Sequence, residues 1–234
     1  MPDIRKPGQL PLDFGHRAAA GREDLIVSDR ISAVVTLIDR WPDWPSPVVI
    51  LAGPIGSGKS HLTNIWAAKT GACAVNATAG DDASIEAAMA GSVFIEDIDR
   101  TGFDETVLFH LINTVRSHNN SLLMTSRLWP AAWNVTLPDL ASRLKAATTV
   151  EIGEPDDALL SQVLVKLFAD RQIIADERVV FYLVARMERS LEAARRIVAR
   201  LDDIALARKV KITRQLAAEV LASEEGHERD TELS

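Results

Sequence analysis

VVILAGPIGSGKSHLTNIW, residues 48–66, is the stretch that decides how the rest of the chain is read. VVILA is a continuous apolar run closed by Gly53, the pattern of a strand buried on both faces of a parallel sheet. Gly53-Pro54-Ile55-Gly56-Ser57-Gly58-Lys59-Ser60 then satisfies G-x-x-x-x-G-K-[ST] at every fixed position. The glycines let backbone N–H groups curl around phosphate oxygens, and the helix that opens there adds its positive end. Lys59 can reach the β and γ phosphates of a nucleotide, and the Ser60 hydroxyl can ligate Mg2+. An accidental match is expected in about one chain of this size in a hundred, and the flanking strand and helix lower that further. Gly53, Pro54, Gly56, Ser57, Gly58, Lys59 and Ser60 are therefore the candidate phosphate-binding residues. His61, on the first turn of the following helix, joins them at the site and reads as a packing or capping residue rather than a base.

Outward from this loop the chain alternates. CAVNA (73–77), SVFIEDID (92–99), SLLMTSR (121–127) and TTVEIG (148–153) read as strands, with helical patterns at 82–91 and 104–118. Strand, helix, strand, helix implies crossover units and an α/β fold: a parallel sheet sandwiched by helices. An earlier helix from Ser28 and Asp29 places Ile31, Val34, Val35 and Ile38 on one face, and WPDWPSP (41–47) ends it. Beyond Pro155 the segments 156–171, 176–189, 190–208 and 213–223 are all helical in pattern, so a small all-helical unit follows the sheet.

A phosphate-loop protein also needs an acid at the end of a neighbouring strand to hold the Mg2+ shell. VFIED supplies Glu96 and Asp97, in the reverse of the usual Asp-then-Glu order. At least one should face the metal. Glu96 is longer than the usual Asp, so the pattern predicts nucleotide binding rather than fast turnover.

Bulk properties narrow the function. The 234 residues carry a net charge of −7, which argues against a chain whose main work is gripping nucleic-acid phosphates, without excluding a local basic patch. The five histidines show no transition-metal spacing. No apolar run approaches the roughly 18 residues of a membrane span, and no signal pattern opens the chain, which points to the cytoplasm. The single cysteine, Cys73, excludes an internal disulfide and, lying in GACAVN, reads as a small buried core residue.

The order of motifs resembles the AAA+ ATPases, and several details resemble the bacterial replication-initiator branch, DnaA and its relatives. GSGKSHL is similar to that branch's phosphate loop, VFIEDID to its acidic strand, and LLMTSR to its sensor strand with Ser126 as the polar sensor. DLASRL (139–144) resembles the box carrying the arginine finger, which falls on Arg143, and ERSLEAARRIVARLD resembles sensor 2, which falls on Arg189. The resemblance spans roughly residues 23–222. It implies a nucleotide-binding base over 23–153, a helical lid over 154–222, ADP or ATP with Mg2+ as cofactor, and an acidic disordered tail over 223–234. Initiators of this family continue into a basic DNA-reading domain after the lid; the acidic tail here implies that origin sequences are not recognised directly.

The opening segment completes the expectation. Residues 1–22 read as an extended tail rich in Pro and Gly, yet Gln9-Leu10-Pro11-Leu12-Asp13-Phe14 has the Q-L-x-L-x-F form by which many bacterial proteins dock on the replication sliding clamp. Leu10, Leu12 and Phe14 supply the apolar contacts and Gln9 a hydrogen bond at the pocket rim. A clamp motif ahead of a DnaA-like module resembles the Hda-type regulators of replication initiation. That implies the sliding clamp and DnaA as partners, and Arg143 acting in trans to promote hydrolysis of DnaA-bound ATP. Self-association stays open. The alternative is a helicase loader of the DnaC type, which shares the module but carries a much longer N-terminal region.

Overall fold

The computed structural model describes Ile26 and residues 29–78, 80 and 82–232. The segment Gln9 to Phe14 lies outside the described residues. Five parallel strands form one sheet: β1 (Val48–Ala52), β2 (Cys73–Ala74), β3 (Val93–Ile95), β4 (Leu122–Ser126) and β5 (Thr148–Glu151), in the order β2-β3-β4-β1-β5. β1 is an interior strand, pairing Val49 with Leu123 on one side and Thr148 on the other, and all five of its residues are buried. That is why VVILA is apolar without interruption rather than alternating.

Alternation survives within the run as a choice of face. Val49 and Leu51, with Leu123, meet α1 (Asp29–Asp39) and α2 (Lys59–Thr70) through Val34, Ile38, Leu62 and Trp66. Val48 and Ile50, with Leu122 and Met124, meet α3 (Asp82–Ala90), α5 (Glu105–Ser117) and α6 (Pro138–Lys145) through Ala88, Leu108, Leu111, Ile112 and Leu140. A short helix, α4 (Ile98–Thr101), follows β3. α2, which follows β1, packs on one face of the sheet, while α5 and α6, which follow β3 and β4, pack on the other, so the connections diverge between β1 and its neighbour β4. In doubly wound sheets such a switch point opens a crevice at the carboxyl ends of the strands, and the glycine loop leaves β1 there.

The second unit packs α7 (Asp157–Asp170), α8 (Glu177–Val184), α9 (Leu191–Arg208) and α10 (Arg214–Glu232) around Leu160, Leu164, Phe168, Leu183, Ile197 and Val220. Three of these helices start on side-chain caps. Asp156 accepts from the Leu159 N–H at 2.8 Å, Asp176 from the Arg178 N–H at 2.8 Å, and Ser190 from the Ala193 N–H at 3.2 Å.

Two expectations are corrected. Cys73 is exposed rather than buried, because β2 is two residues long and stands at the sheet edge, where no further strand covers it. The acidic stretch after residue 222 does not begin as a disordered tail: α10 runs on to Glu232. Its Glu224 is paired with Arg196 and Arg200 of α9, which carries the helix past the expected boundary.

Trp66 is the keystone of the α1–α2 face. It is fully buried, stacked on Trp44 with centroids 5.2 Å apart and edge-on to Trp41 at 6.5 Å, so WPDWPSP closes the core as well as ending α1. Its Nε1 has no hydrogen-bond partner among the described residues. Trp66→Ala should cost about 3–5 kcal/mol in urea denaturation followed by circular dichroism. Trp66→Phe, which also removes the unpaired N–H, should cost well under half as much.

Candidate nucleotide-binding site

The loop at the end of β1 has the geometry its glycines require. Gly56 has φ 69°, a left-handed conformation, and a Cβ added there would lie 2.0 Å from Ser190 Oγ. At Gly53 a Cβ would meet the Ile152 carbonyl oxygen at 2.2 Å, so glycine allows β1 and the end of β5 to converge beneath the loop. Gly58 caps α2, whose first residues are Lys59 and Ser60.

Lys59 is 6% exposed and donates to the Gly53 and Pro54 carbonyls, 2.7 Å each. Desolvation holds its pKa below the ordinary 10.5; Asp97 opposes that shift and Arg127 adds to it. An ammonium kept near backbone carbonyls and short of counter-charge is poised to take an anion. Asp97 sits in a left-handed conformation at the head of α4, its N–H donating to Thr125 Oγ1 at 2.8 Å. Asp99 accepts from the Arg127 and Leu128 N–H groups at 3.1–3.2 Å. The acidic segment after β3 is thereby fastened to the end of β4.

A cleft of about 320 Å³ opens over this surface. The loop contributes Ile55, Gly56, Gly58, Lys59, Ser60 and His61, the strand ends contribute Asp97 and Arg127, and the lid contributes Leu191, Glu192 and Arg195. The lid is seated on the loop directly: the Leu191 N–H donates to the Gly56 carbonyl at 2.9 Å. Four buried side-chain polar atoms lack a hydrogen-bond partner among the described residues. Three of them, Ser57 Oγ, Glu96 Oε1 and Arg127 Nε, belong to the loop or to the two strand ends beside it. Three cations (Lys59, Arg127, Arg195) face two carboxylates (Asp97, Glu192). This donor set fits a nucleotide phosphate chain, and Ser60 and Asp97 are the residues that would hold a Mg2+ ion accompanying it. Among the described residues no three His, Cys, Asp or Glu side chains form a metal cluster of their own.

Not every residue singled out from the sequence is brought here. Glu96 lies beside Asp97 but off the cleft lining. The Ser126 hydroxyl donates to the Leu128 carbonyl at 2.7 Å and accepts from Trp133 Nε1 at 3.1 Å, so it braces the chain after β4 instead of lining the cleft. Arg189 is paired with Asp157 at 2.8 Å, also off the lining. Arg127 and Arg195, which sequence reasoning passed over, take the polar positions on the two sides. A signal existed: Ser190 is the α9 cap, so Arg189 precedes the helix, while Leu191 and Arg195 share its first exposed stripe over Gly56 and Gly58.

Arg143 stands elsewhere. It is half-buried in the last turn of α6, in a recess with Phe109 and Arg116 of α5 and Asp139 and Ser142 of α6. The start of α6 is set by Glu105, whose carboxylate accepts from Thr136 N–H and Oγ1 and from Leu137 N–H at 2.6–3.0 Å.

No protein-family model matches the chain, and neither does any curated protein. Solved structures do. Domain III of the replication initiation protein DnaA from Thermotoga maritima matches at TM-score 0.72 and 15% identity, over 87% of this chain and 96% of that one. AMPPCP-bound DnaA from Aquifex aeolicus matches at 0.65 and 18% identity, over 89% and 69%. A RuvB variant from Thermotoga maritima matches at 0.68 and 14% identity, over 87% and 72%. At such identities the likeness establishes the fold alone, the arrangement of parallel sheet and following helical unit that domain III of DnaA also has.

Two outcomes follow from this geometry. In titrations with a fluorescent ADP analogue, Gly56→Ala should weaken binding at least tenfold, because its Cβ both strains the loop and unseats the lid. Arg195→Ala should weaken it by about 10-fold or more, as loss of a charge-assisted contact does, while Arg189→Ala changes it less than twofold. A second set concerns Glu105, whose carboxyl is held below its ordinary 4.5 chiefly by the backbone N–H groups of Thr136 and Leu137. Its anchoring of α6 is complete above pH 4.5 and is lost only as pH falls through the lowered value. Amide exchange at Thr136 and Leu137 should accelerate over that acid range, and in Glu105→Gln the acid-dependent step should vanish.

Proposed function

We propose that this chain is an adenine-nucleotide-binding AAA+ regulator of DNA replication initiation. In this reading it docks on the sliding clamp through Gln9, Leu10, Leu12 and Phe14 and promotes hydrolysis of ATP bound to DnaA through Arg143. The observation that carries the reading is the position of Arg143. It lies on α6, off the lining of the chain's own phosphate cleft, in a surface recess and without a carboxylate partner among the described residues. A guanidinium placed so is available to a neighbouring molecule, and arginine fingers supplied in trans are worth about 10³–10⁵ in rate through neutralisation of developing phosphate charge. The DnaA-like fold supports a partner of the same architecture, since AAA+ modules of one shape can pack cleft to finger.

The chain's own nucleotide then acts as a conformational cofactor. Lys59 and the backbone of residues 56–60 hold the phosphates, and Ser60 and Asp97 hold Mg2+. A bound ADP or ATP supplies the negative charge that Lys59, Arg127 and Arg195 meet together. Since Leu191 is bonded to Gly56, those residues can transmit occupancy to the angle of the lid and so to the docking face.

The test is hydrolysis of DnaA-bound ATP in the presence of clamp. Arg143→Ala, with unchanged melting temperature and unchanged clamp binding, should lose at least 100-fold of the stimulation. The triple variant Gln9→Ala, Leu12→Ala, Phe14→Ala should lose clamp binding while keeping nucleotide affinity. Full stimulation by the Arg143 variant would overturn the finger assignment, and clamp binding by the triple variant would overturn the docking motif.

A further inference from the structure

The lid sorts its arginines in a way the nucleotide cleft does not explain. Nine arginines lie between Arg171 and Arg214. Five are neutralised: Arg171 by Asp202, Arg189 by Asp157, Arg196 and Arg200 by Glu224, and Arg208 by Glu219. Arg195 faces the nucleotide cleft. The other three, Arg178, Arg186 and Arg214, have no carboxylate partner among the described residues, and they share one recess of about 680 Å³ between α8 and the start of α10. In a chain with net charge −7, unpaired guanidiniums gathered in one hollow mark an anion site.

The recess also holds rings. Tyr182, the single tyrosine of the chain, lies under the Arg186 guanidinium at 4.3 Å and the Arg214 guanidinium at 4.8 Å from its centroid. Stacking on the ring holds both forks in place, so less side-chain entropy is lost when they bind phosphate. Beside them Phe181 is 66% exposed, a large apolar ring left in water at the rim. Asp176, the one carboxylate on the lining, is engaged as the α8 cap. Lys209 and Lys211, both exposed on the connection before α10, extend the positive surface.

From this we infer that the α8–α10 recess binds single-stranded nucleic acid, phosphates on Arg178, Arg186 and Arg214 and a base on Phe181. Cations interleaved with exposed aromatic faces are the recognition chemistry of single strands, because every base offers a π-face while duplex bases are stacked away. An acidic peptide would engage the guanidiniums but gives the exposed ring no stacking partner. The site is separate from the nucleotide cleft and independent of the regulatory role proposed above.

The experiment is fluorescence anisotropy of a labelled dT15 oligonucleotide against the full chain at several salt concentrations. Wild-type binding should fall with salt with a log–log slope of about −2, for three phosphates at about −0.7 each on single strands. The double reversal Arg186→Glu, Arg214→Glu should weaken binding at least 30-fold and flatten the slope, and Phe181→Ala should weaken it about 10-fold with the slope retained. Arg208→Glu, an equal charge reversal at a paired arginine, should have less than a threefold effect, and circular dichroism confirms the fold of each variant. Absence of dT15 binding at low salt, or equal binding by the double reversal, overturns the proposal. Equal or tighter binding of a fifteen-residue polyglutamate peptide overturns it in favour of an acidic protein partner.

Discussion

The sheet and the lid meet over the glycine loop, where the Leu191 N–H donates to the Gly56 carbonyl and Ser190 is packed where a side chain at 56 would be. The sheet and the lid each have their own core. The seat of α9 on the glycine loop makes the phosphate cleft a shared surface. It needs a residue without a Cβ at φ 69° on one side and a capped helix start on the other. Both are cheap in sequence terms, a glycine and a serine.

The same economy governs charge. Lys59 is kept buried by its two carbonyl acceptors, and the acids that would balance it stand at the strand ends rather than against it. On the lid, arginines with structural duties are paired with carboxylates across α9 and α10, so their positive charge is cancelled where it has no ligand to meet. Several arginines without a carboxylate partner among the described residues line concave surfaces: Arg195 at the cleft, Arg143 at the α6 recess, and three more at the α8–α10 recess. Unpaired arginine on an acidic protein is a local reversal of potential that can draw in an anion. Its distribution is therefore the strongest electrostatic guide to where this surface works.

The one-dimensional pattern carried a great deal, for physical reasons. VVILA announced an interior parallel strand because burial on both faces forbids polar residues, and GPIGSGKS announced the loop because phosphate geometry fixes its residue types. The alternation of strand and helix, then helices alone, gave the two units in order. The pattern ran out where position depends on which way a side chain turns at the end of an element. Cys73 looked like core because its neighbours are apolar, but an edge strand of two residues has an uncovered flank. Ser126 is singled out by the likeness of LLMTSR to a sensor strand, and the partners of its hydroxyl, the Leu128 carbonyl and Trp133 Nε1, are set by the chain beyond the strand. Residues after 222 looked like a solvated tail, and Glu224 instead joins an ion-pair cluster that only the packing of α9 on α10 creates.

What the sequence by itself determined is the class of chemistry and the scaffold: a phosphate loop on β1, acids after β3, a parallel α/β sheet and a helical lid. These are written in local spacing, where residue type and periodicity suffice. What only the tertiary structure decided is which arginines line the cleft over the glycine loop. Arg189 and Arg195 are six residues apart on one segment, and nothing in their spacing says that the first is spent on Asp157 while the second overlooks Lys59. That choice depends on where α7 and the loop come to lie against α9. Contacts between elements distant in sequence set it, and no local pattern encodes them.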